Sequence, residues 1–286
     1  IGRGAYIGRR VQLGTSGSQA MRIGDDTSIQ DGTVILGEVS LGRHCLLSSN
    51  IFISSGNHYC DLHPSWLIRD QDALANSQAS ADSRVVIEDD VWIGWGAFVK
   101  RGTYIGRGAV LGAYAVVTHD VPPYSIQAGV PSREVRKRFD FQPTSRIEAA
   151  NSDHLPYFYS GFDLRQASLR DGVAWANSNS SVMVSRKAWQ ELSLTGELAP
   201  GIDSIRLAIS VQGIPAGEVS LAGNLYRTAV PLDPSLWTSA HSPRSKVLDP
   251  WLEIGLKLIE QKGISAGEFA YGISALALGP PGRRPA

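Results

Sequence analysis

A six-residue periodicity runs through the first half of the chain and limits its fold more than any other feature. From Ile23 to Ile53, and again from Ile87 to Val117, every sixth residue is aliphatic and glycine often follows it. The fifth residue of each step is usually small or β-branched. A six-residue period is too short for a helical repeat, so it predicts a β-solenoid of short strands and corners. We expect the aliphatic and small residues to point inward and the glycines to permit the turns.

Two interruptions break this periodic row. Residues 15–22 form a short polar bulge, and residues 59–86 form a long insertion that begins directly after His58. Insertions of this length in compact domains are usually functional or disordered. The first half of the insertion carries aromatic and charged residues, which favours a binding loop. Residues 73–83 are small and polar, which favours mobility.

The second half of the chain has a different pattern. Residues 142–157 lack periodicity and are predicted to be a linker, whereas apolar and polar residues alternate over residues 158–278. Several short alternating runs separated by turn signals indicate an antiparallel β-sandwich-like domain. Residues 279–286, rich in Gly, Pro and Arg, are expected to form a disordered tail. The chain is thus predicted to be all-β, with a solenoid over residues 1–141 and an accessory β domain.

Composition argues against several classes of protein. Hydrophobic residues make up 43% and charged residues 19% of the chain, as in ordinary globular domains. Lys plus Arg and Asp plus Glu both number 27, so the net charge gives no sign of a nucleic-acid partner. No run of about 18 apolar residues occurs, so no transmembrane segment is expected. Cys45 and Cys60 are too few for a disulfide framework, which favours a reducing, cytoplasmic setting.

Three stretches resemble the motifs of a known family. Ile87–Gly94 is similar to the signature IGxxVWIG, Leu111–Pro122 to IGAGSVVTKDVP, and Ala128–Arg133 to AGVPAK/R. By these motifs residues 1–141 resemble the hexapeptide-repeat, acetyl-CoA-dependent O-acetyltransferases, in the branch that modifies sugars and xenobiotics. The resemblance implies a left-handed parallel β-helix with three steps per coil. It also implies acetyl-CoA as co-substrate, no metal, and a homotrimer with active sites between subunits.

Acetyl transfer to a hydroxyl requires a base, because a sugar hydroxyl is almost never ionised at neutral pH. Histidine is largely neutral there and can accept the proton as the oxygen attacks. The resemblance places the catalytic histidine where the long loop leaves the coil, which is the position of His58, and His63 is the close rival. Asp61 is the nearest acid that could orient the ring, with a backbone carbonyl or an acid of a neighbouring subunit as alternatives. Asn57 is either a site residue that binds the acceptor or a turn residue.

A register argument adds three candidate contacts for the cofactor. Trp95, Ala113 and Pro131 are each eighteen residues apart, which is one position per three-step coil. The resemblance places the pantetheine arm along the solenoid axis, so an extended arm would touch this position once per coil. Ala113 is small enough for close approach, whereas Trp95 replaces the small or polar residue often found in the family.

Four further residues are candidates for the phosphate and adenine end of CoA. Thr118 matches the threonine of the family motif, and His119 stands where the family usually has lysine. Arg133 matches the basic residue of the third motif, and Arg136 adds positive charge nearby. Guanidinium groups suit phosphate because their paired donors match its oxygens. The alternative is that this basic cluster is a solvated face.

The first half of the insertion supplies the candidate acceptor contacts Tyr59, His63, Trp66 and Arg69. The acceptor itself is expected, by resemblance, to be a sugar on a surface polysaccharide or its precursor. An antibiotic or a free sugar is the alternative.

Two other activities remain open from the residues. Some hexapeptide β-helices are zinc-dependent carbonic anhydrases, and His58 with His63 could form part of such a site, completed by His44 or His119. A solenoid that serves only as a scaffold is the other reading. Cys60 beside His58 would allow a Cys/His nucleophile, but the resemblance implies direct transfer. In the second domain Trp175, Trp189, Trp237 and Trp251 could stack on sugars or pack in the core.

Overall fold

A computed structural model describes residues 1–15, 20–75, 83–164, 172–186, 189–236, 251–263 and 269–279. The chain divides into two compact units, Ile1–Phe141 and Gln142–Ala286. No helix within these ranges is long and apolar enough to cross a membrane. Part of the predicted polar bulge, most of the predicted mobile stretch 73–83, Trp237 and residues 280–286 of the predicted tail lie outside the described residues, as does the side chain of Trp251.

The first unit is a parallel β-solenoid built from strands of two to five residues. Its one described helix is α1 (Ile68–Ala75), in the insertion. Its strands are β1 (Tyr6–Ile7), β2 (Gln12–Gly14), β3 (Arg22–Ile23), β4 (Ser28–Ile29), β5 (Val34–Leu36), β6 (Val39–Leu41), β7 (Leu46–Leu47), β8 (Phe52–Ser54), β9 (Val85–Ile87), β10 (Trp92–Ile93), β11 (Phe98–Val99), β12 (Tyr104–Ile105), β13 (Val110–Leu111), β14 (Val116–Val117), β15 (Ser125–Ala128) and β16 (Arg133–Lys137).

Successive strands fall in turn on three faces. Face A is β1-β4-β7-β10-β13-β15-β16, face B is β14-β11-β8-β5-β2, and face C is β12-β9-β6-β3. Apart from β16, the strands on one face are parallel, and the regular coils pair residues eighteen positions apart, as in Trp92 with Val110. The chain therefore turns at an A–B, a B–C and a C–A corner in every coil. The predicted left-handed parallel β-helix followed by an antiparallel β domain is confirmed as the fold class.

The predicted inward positions are the core of the solenoid. The aliphatic residues from Ile23 to Val117 form one buried cluster with the small residues of the fifth position. A buried threonine in this core has hydrogen-bond partners. Thr27 Oγ1 donates to the Gly42 carbonyl at 2.7 Å and accepts from the Cys45 amide at 3.1 Å. Because each coil buries its apolar edge only against the next, the stack stabilises itself cooperatively.

The glycines that follow the aliphatic residues have a different role from the predicted one. They do not supply the left-handed turn residues, which come two positions later, as in Asp26, two residues after Gly24, with φ of 54°. Instead they allow coils to approach: a Cβ on Gly24 would lie 2.4 Å from the Gly42 carbonyl oxygen. The constraint at these glycines is therefore steric contact between coils, not backbone conformation.

Both interruptions are shorter than their predicted bounds. Arg22 belongs to β3, and Val85 with Val86 belongs to β9, which pairs with β6. The insertion thus ends at Arg84, at the start of the strand that completes its coil. After the last coil, β16 turns back and pairs antiparallel with β15.

The second unit is antiparallel. It contains a 3₁₀ helix at Ser152–Tyr157 and the strands β17 (Arg146–Glu148), β18 (Ser160–Asp163), β19 (Ala174–Ser185), β20 (Glu191–Leu198), β21 (Ile202–Val211), β22 (Ile214–Ala222), β23 (Leu225–Pro231), β24 (Trp251–Gly263) and β25 (Tyr271–Gly279).

All strands described in the second unit form one hydrogen-bonded sheet. Its main order is β22-β21-β24-β19-β25-β20-β23, with β17 on β25 and β18 on β19. Since β22 and β23 are joined by a tight turn, the sheet curls and brings its two ends together. The residues predicted to be a linker differ from that expectation, because Arg146–Glu148 pairs with β25. Trp175 and Trp189 are half-buried.

Candidate active site

The insertion leaves the solenoid at the B–C corner that follows β8. Gly56, Asn57 and His58 are exposed and continue from the end of that strand. The chain then forms α1 and returns at β9. Because β8 is paired on both sides in face B, the segment before His58 is held by the regular coil.

Asp72 in α1 contacts the ring of His58. The His58 Nδ1 and Asp72 Oδ2 atoms are 2.5 Å apart, and the Tyr59 amide donates to Asp72 Oδ1 at 2.7 Å. The hydrogen bond with His58 and then that from Tyr59 hold the pKa of Asp72 below its usual value of 3.8. The carboxylate therefore fixes the ring through Nδ1, and no described residue pairs with Nε2. This is the arrangement of an oriented base.

Asp72, rather than the predicted Asp61, is the acid beside the histidine. Asp61 is exposed and has no hydrogen bond with His58. Sequence reasoning treated the insertion as a loop and did not place a helix in it. The signal was present, since residues 65–75 contain no Gly or Pro and are rich in helix-forming residues. A helix there returns an acid toward the start of the insertion.

Gln71 anchors the turn that carries His63. Its side chain is 1% exposed. Its Oε1 accepts from the amides of Leu62 at 2.7 Å and His63 at 3.3 Å, and its Nε2 donates to the Trp66 carbonyl at 2.9 Å. One buried amide thus satisfies three backbone groups of the insertion, which keeps the segment between His58 and α1 compact.

His58 lines an open groove of about 640 Å³ over face B, which we call the His58 groove. Phe52 and Phe98 form part of its lining, with ring centroids 5.6 Å apart and planes 2° apart. Lys100 and Arg101, from the next coil at the B–C corner, also line it. The sequence analysis did not predict these two cations. Their position one coil after the segment that leads to His58 could have identified them.

The predicted acceptor residues do not line this groove within one chain. His63 stacks on Trp66 with a centroid distance of 4.8 Å, and its Nδ1 lies 2.9 Å from Ser65 Oγ. Trp66 and Arg69 are exposed, and Tyr59 is half-buried. In a single chain the insertion therefore brings only Asn57 and His58, of the predicted residues, to the groove.

Trp95 and Ala113 occupy equivalent positions at the A–B corner. The Tyr114 amide donates to the Trp95 carbonyl at 2.8 Å, and the rings of Trp95 and Tyr114 meet edge to face at 4.9 Å. The eighteen-residue register does not continue to Pro131. Val110 pairs with Ile126, an offset of sixteen residues, because the last coil is shorter.

Thr118 and His119 are exposed at a different corner, B–C, after β14. The predicted cofactor residues therefore do not form a single track along one edge of the chain. Arg133 and Arg136 are exposed on β16. Arg136 lines a second cavity of about 490 Å³ over face A, which also includes Trp92.

The four histidines considered for zinc are not brought together. His58 pairs with Asp72, and His63 with Ser65. Within the described ranges no group of three His, Cys, Asp or Glu side chains is arranged to hold a metal ion.

Sequence comparisons agree with the solenoid. The family described as bacterial transferase hexapeptide (six repeats) matches residues 84–119, which span β9 to β14. Chloramphenicol acetyltransferase of Escherichia coli is 35% identical over 120 residues, which are 38% of this chain and 56% of that protein. The 2,3,4,5-tetrahydropyridine-2,6-dicarboxylate N-acetyltransferase of Thermotoga sp. is 68% identical over 53 residues, or 18% of this chain and 23% of that protein. The chain spans about half the length of the first of these relatives.

Among solved structures, a hexapeptide-repeat acetyltransferase of Vibrio cholerae, complexed with acetyl coenzyme A, aligns with a TM-score of 0.40 and 27% identity. The alignment covers 49% of this chain and 71% of that one. The coils from β9 to β14 thus match the hexapeptide-repeat model of bacterial transferases, in agreement with the six-residue coils of the first unit.

Proposed function

We propose that the protein is an acetyl-CoA-dependent O-acetyltransferase that acetylates a sugar hydroxyl, on a surface polysaccharide or its precursor. The observation that carries this proposal is His58, oriented through Nδ1 by Asp72 and lining a groove wide enough for a sugar. A histidine held by a carboxylate at a solvent-open groove suits proton removal from a hydroxyl. The sequence relatives named as acetyltransferases support the same reaction class.

The proposed step is a direct transfer. Nε2 of His58 takes the proton of the acceptor hydroxyl as its oxygen forms a bond to the thioester carbonyl carbon. The carbon–sulfur bond then breaks, and the imidazolium returns the proton to the sulfur of CoA. Asp72 stabilises the imidazolium between these two events, since its carboxylate is charged throughout. No acyl-enzyme is required, so Cys60 has no part in the step.

The co-substrate fits exposed residues of the solenoid. The side chain of Ala113 ends at Cβ, so a ligand can approach the backbone at this corner. Arg133 has an exposed guanidinium group. These groups would hold the pantetheine arm and a phosphate respectively. We place the reaction in the cytoplasm, where acetyl-CoA is made, and both cysteines are free thiols.

A homotrimer is part of the proposal. Ala113 lies at the A–B corner, whereas His58 and Thr118 lie at the B–C corner. An extended ligand that lies along the solenoid axis follows one corner of a chain. It therefore contacts both Ala113 and His58 only where the A–B corner of one copy meets the B–C corner of another. Closed cyclic packing of three copies would provide such a site three times.

The decisive experiment compares His58→Ala with His63→Ala in an assay of thiol release from acetyl-CoA with a panel of sugars. We expect His58→Ala to lower kcat at least a hundredfold, because the proton then has no acceptor. His63→Ala is the matched control and should retain nearly full activity. Equal activity of His58→Ala and the unmodified protein would remove the assigned base.

A second candidate is acetylation of an antibiotic by the same residues. The relatives named chloramphenicol acetyltransferase favour it, at 35% identity over 120 residues in one case. Including chloramphenicol in the acceptor panel distinguishes the two. A higher kcat/KM for chloramphenicol than for every sugar would support this second candidate.

A further inference from the structure

Lys100 and Arg101 are the two cationic side chains, apart from His58, in the described lining of the His58 groove. Several other arginines pair with carboxylates of a neighbouring coil, as in Arg9 with Asp31 at 3.0 Å and Arg43 with Asp89 at 2.9 Å. Within the described ranges, neither Lys100 nor Arg101 forms an ion pair, and both line the His58 groove. Two uncompensated positive charges beside the base create a local field that favours an anion in the groove.

The position of these cations points to the acceptor rather than to CoA phosphates. They follow β11, which pairs directly with β8, the strand that precedes His58. The ends of adjacent strands lie about 4.8 Å apart. The pantetheine arm separates the thioester from the phosphates of CoA by several such spacings. An acidic group bound by Lys100 and Arg101 is thus close to the reacting hydroxyl. The two groups are near enough to belong to the same sugar residue.

The floor of the groove suits a sugar ring. Phe52 and Phe98 are stacked in parallel and are 38% and 36% exposed, so they present apolar surface to the groove. The C–H face of a pyranose packs on such a surface, while its polar edge stays available for hydrogen bonds. A ring placed there has the base at one side and the two cations at another.

We propose that the acceptor sugar is anionic and carries a carboxylate or phosphate that Lys100 and Arg101 bind while a hydroxyl faces His58. This rests on the proposed acetyl transfer and names the acceptor class of the same site. Hydrogen bonds between charged groups are strong enough to give roughly tenfold selectivity or more. Lys100 and Arg101 are therefore the specificity residues of the groove.

The test measures binding of three sugars by NMR titration of the full chain. Methyl β-glucoside, methyl β-glucuronide and methyl β-glucoside 6-phosphate differ only at C6, so they separate neutral, carboxylate and phosphate acceptors. We expect at least one anionic sugar to bind roughly tenfold more tightly than the glucoside. That ratio should fall toward one in the Lys100→Gln/Arg101→Gln double variant, and in the unmodified protein at high salt.

The matched control is Arg10→Gln/Arg22→Gln, which removes two exposed charges that do not line the groove. It should keep the selectivity. Equal binding of all three sugars by the unmodified protein would overturn the proposal. So would a double variant that keeps the sugar ratio but binds acetyl-CoA less tightly, since the cations would then serve the phosphates. Because binding needs no turnover, failure of acetyl transfer with every acceptor would count against the proposed function alone.

Discussion

The contact between His58 and Asp72 shows how one carboxylate can orient an exposed histidine ring. The histidine side chain is 85% exposed, so packing does not hold the ring in place. Its reactivity would come from orientation, because the carboxylate holds Nδ1 and leaves Nε2 for the acceptor. Asp72 is itself 19% exposed and receives a second hydrogen bond from the Tyr59 amide. Asp72 is thus a positioning residue in the proposed reaction.

Replacing Asp72 by Asn is expected to lower kcat at least tenfold while the KM for acetyl-CoA changes little, because the ring loses its orientation. Asp61→Asn is the matched control on the same insertion and should leave kcat unchanged. Steady-state kinetics with both substrates varied separate the two parameters. Equal effects of the two substitutions would contradict the positioning role of Asp72.

The lowered pKa of Asp72 also predicts how the insertion responds to acid. A carboxylate with a pKa below the unfolded value of 3.8 stabilises its contacts fully above that value. This stabilisation is lost as the pH falls through the lowered folded value. Hydrogen exchange at the Tyr59 amide, corrected for its intrinsic rate, should therefore stay constant from neutral pH to about 5 and rise only in stronger acid. Faster corrected exchange already near pH 6 would contradict this assignment.

At the scale of elements, two features hold the site: the anchored insertion and the stacked coils. In the described part of the insertion Leu62, Leu67 and Ile68 are exposed, and one buried amide, Gln71, supplies hydrogen bonds to the backbone. The solenoid depends on close approach between coils at glycines such as Gly24. The two features should fail independently when altered.

Gln71→Leu is expected to loosen the insertion without unfolding the solenoid. It removes hydrogen bonds worth about 1 kcal/mol each and leaves three backbone groups of the insertion without this partner. Amides of Leu62 and His63 should exchange faster, and kcat should fall, while the thermal midpoint changes little. Gln30→Leu, at an exposed corner, is the control. A large loss of solenoid stability in Gln71→Leu would show that the insertion is integral to the core.

Gly24→Ala is expected to destabilise the solenoid by about 1–3 kcal/mol, because the new Cβ would overlap backbone. It would lie 2.4 Å from the Gly42 carbonyl oxygen. Gly14→Ala is matched in sequence position but meets only the end of the Leu36 side chain at 3.0 Å. Chemical denaturation should therefore show a much smaller loss for Gly14→Ala. Similar losses in both variants would refute steric stacking as the reason for these glycines.

At the scale of the whole molecule, the proposed site needs corners from two copies. This predicts complementation between His58→Ala and a variant that blocks the other corner, Ala113→Trp. Each is expected to be inactive alone. After unfolding and refolding of an equal mixture, about one site in four would combine an intact B–C corner with an intact A–B corner. Recovery of about a quarter of the activity supports the trimer, and no recovery would place both corners in one chain's site.

Sequence alone determined the solenoid, because a six-residue repeat with buried aliphatic positions from Ile23 to Val117 has few other ways to hide its apolar edge. It also located His58, since a break in a regular coil is visible without coordinates. Only the tertiary structure placed Asp72 beside His58 and Lys100 in the same groove. It also separated Ala113 from Thr118 onto different corners. Those relations depend on how a long insertion folds back and on which corner of the coil each six-residue step reaches. Neither follows from local spacing in the sequence.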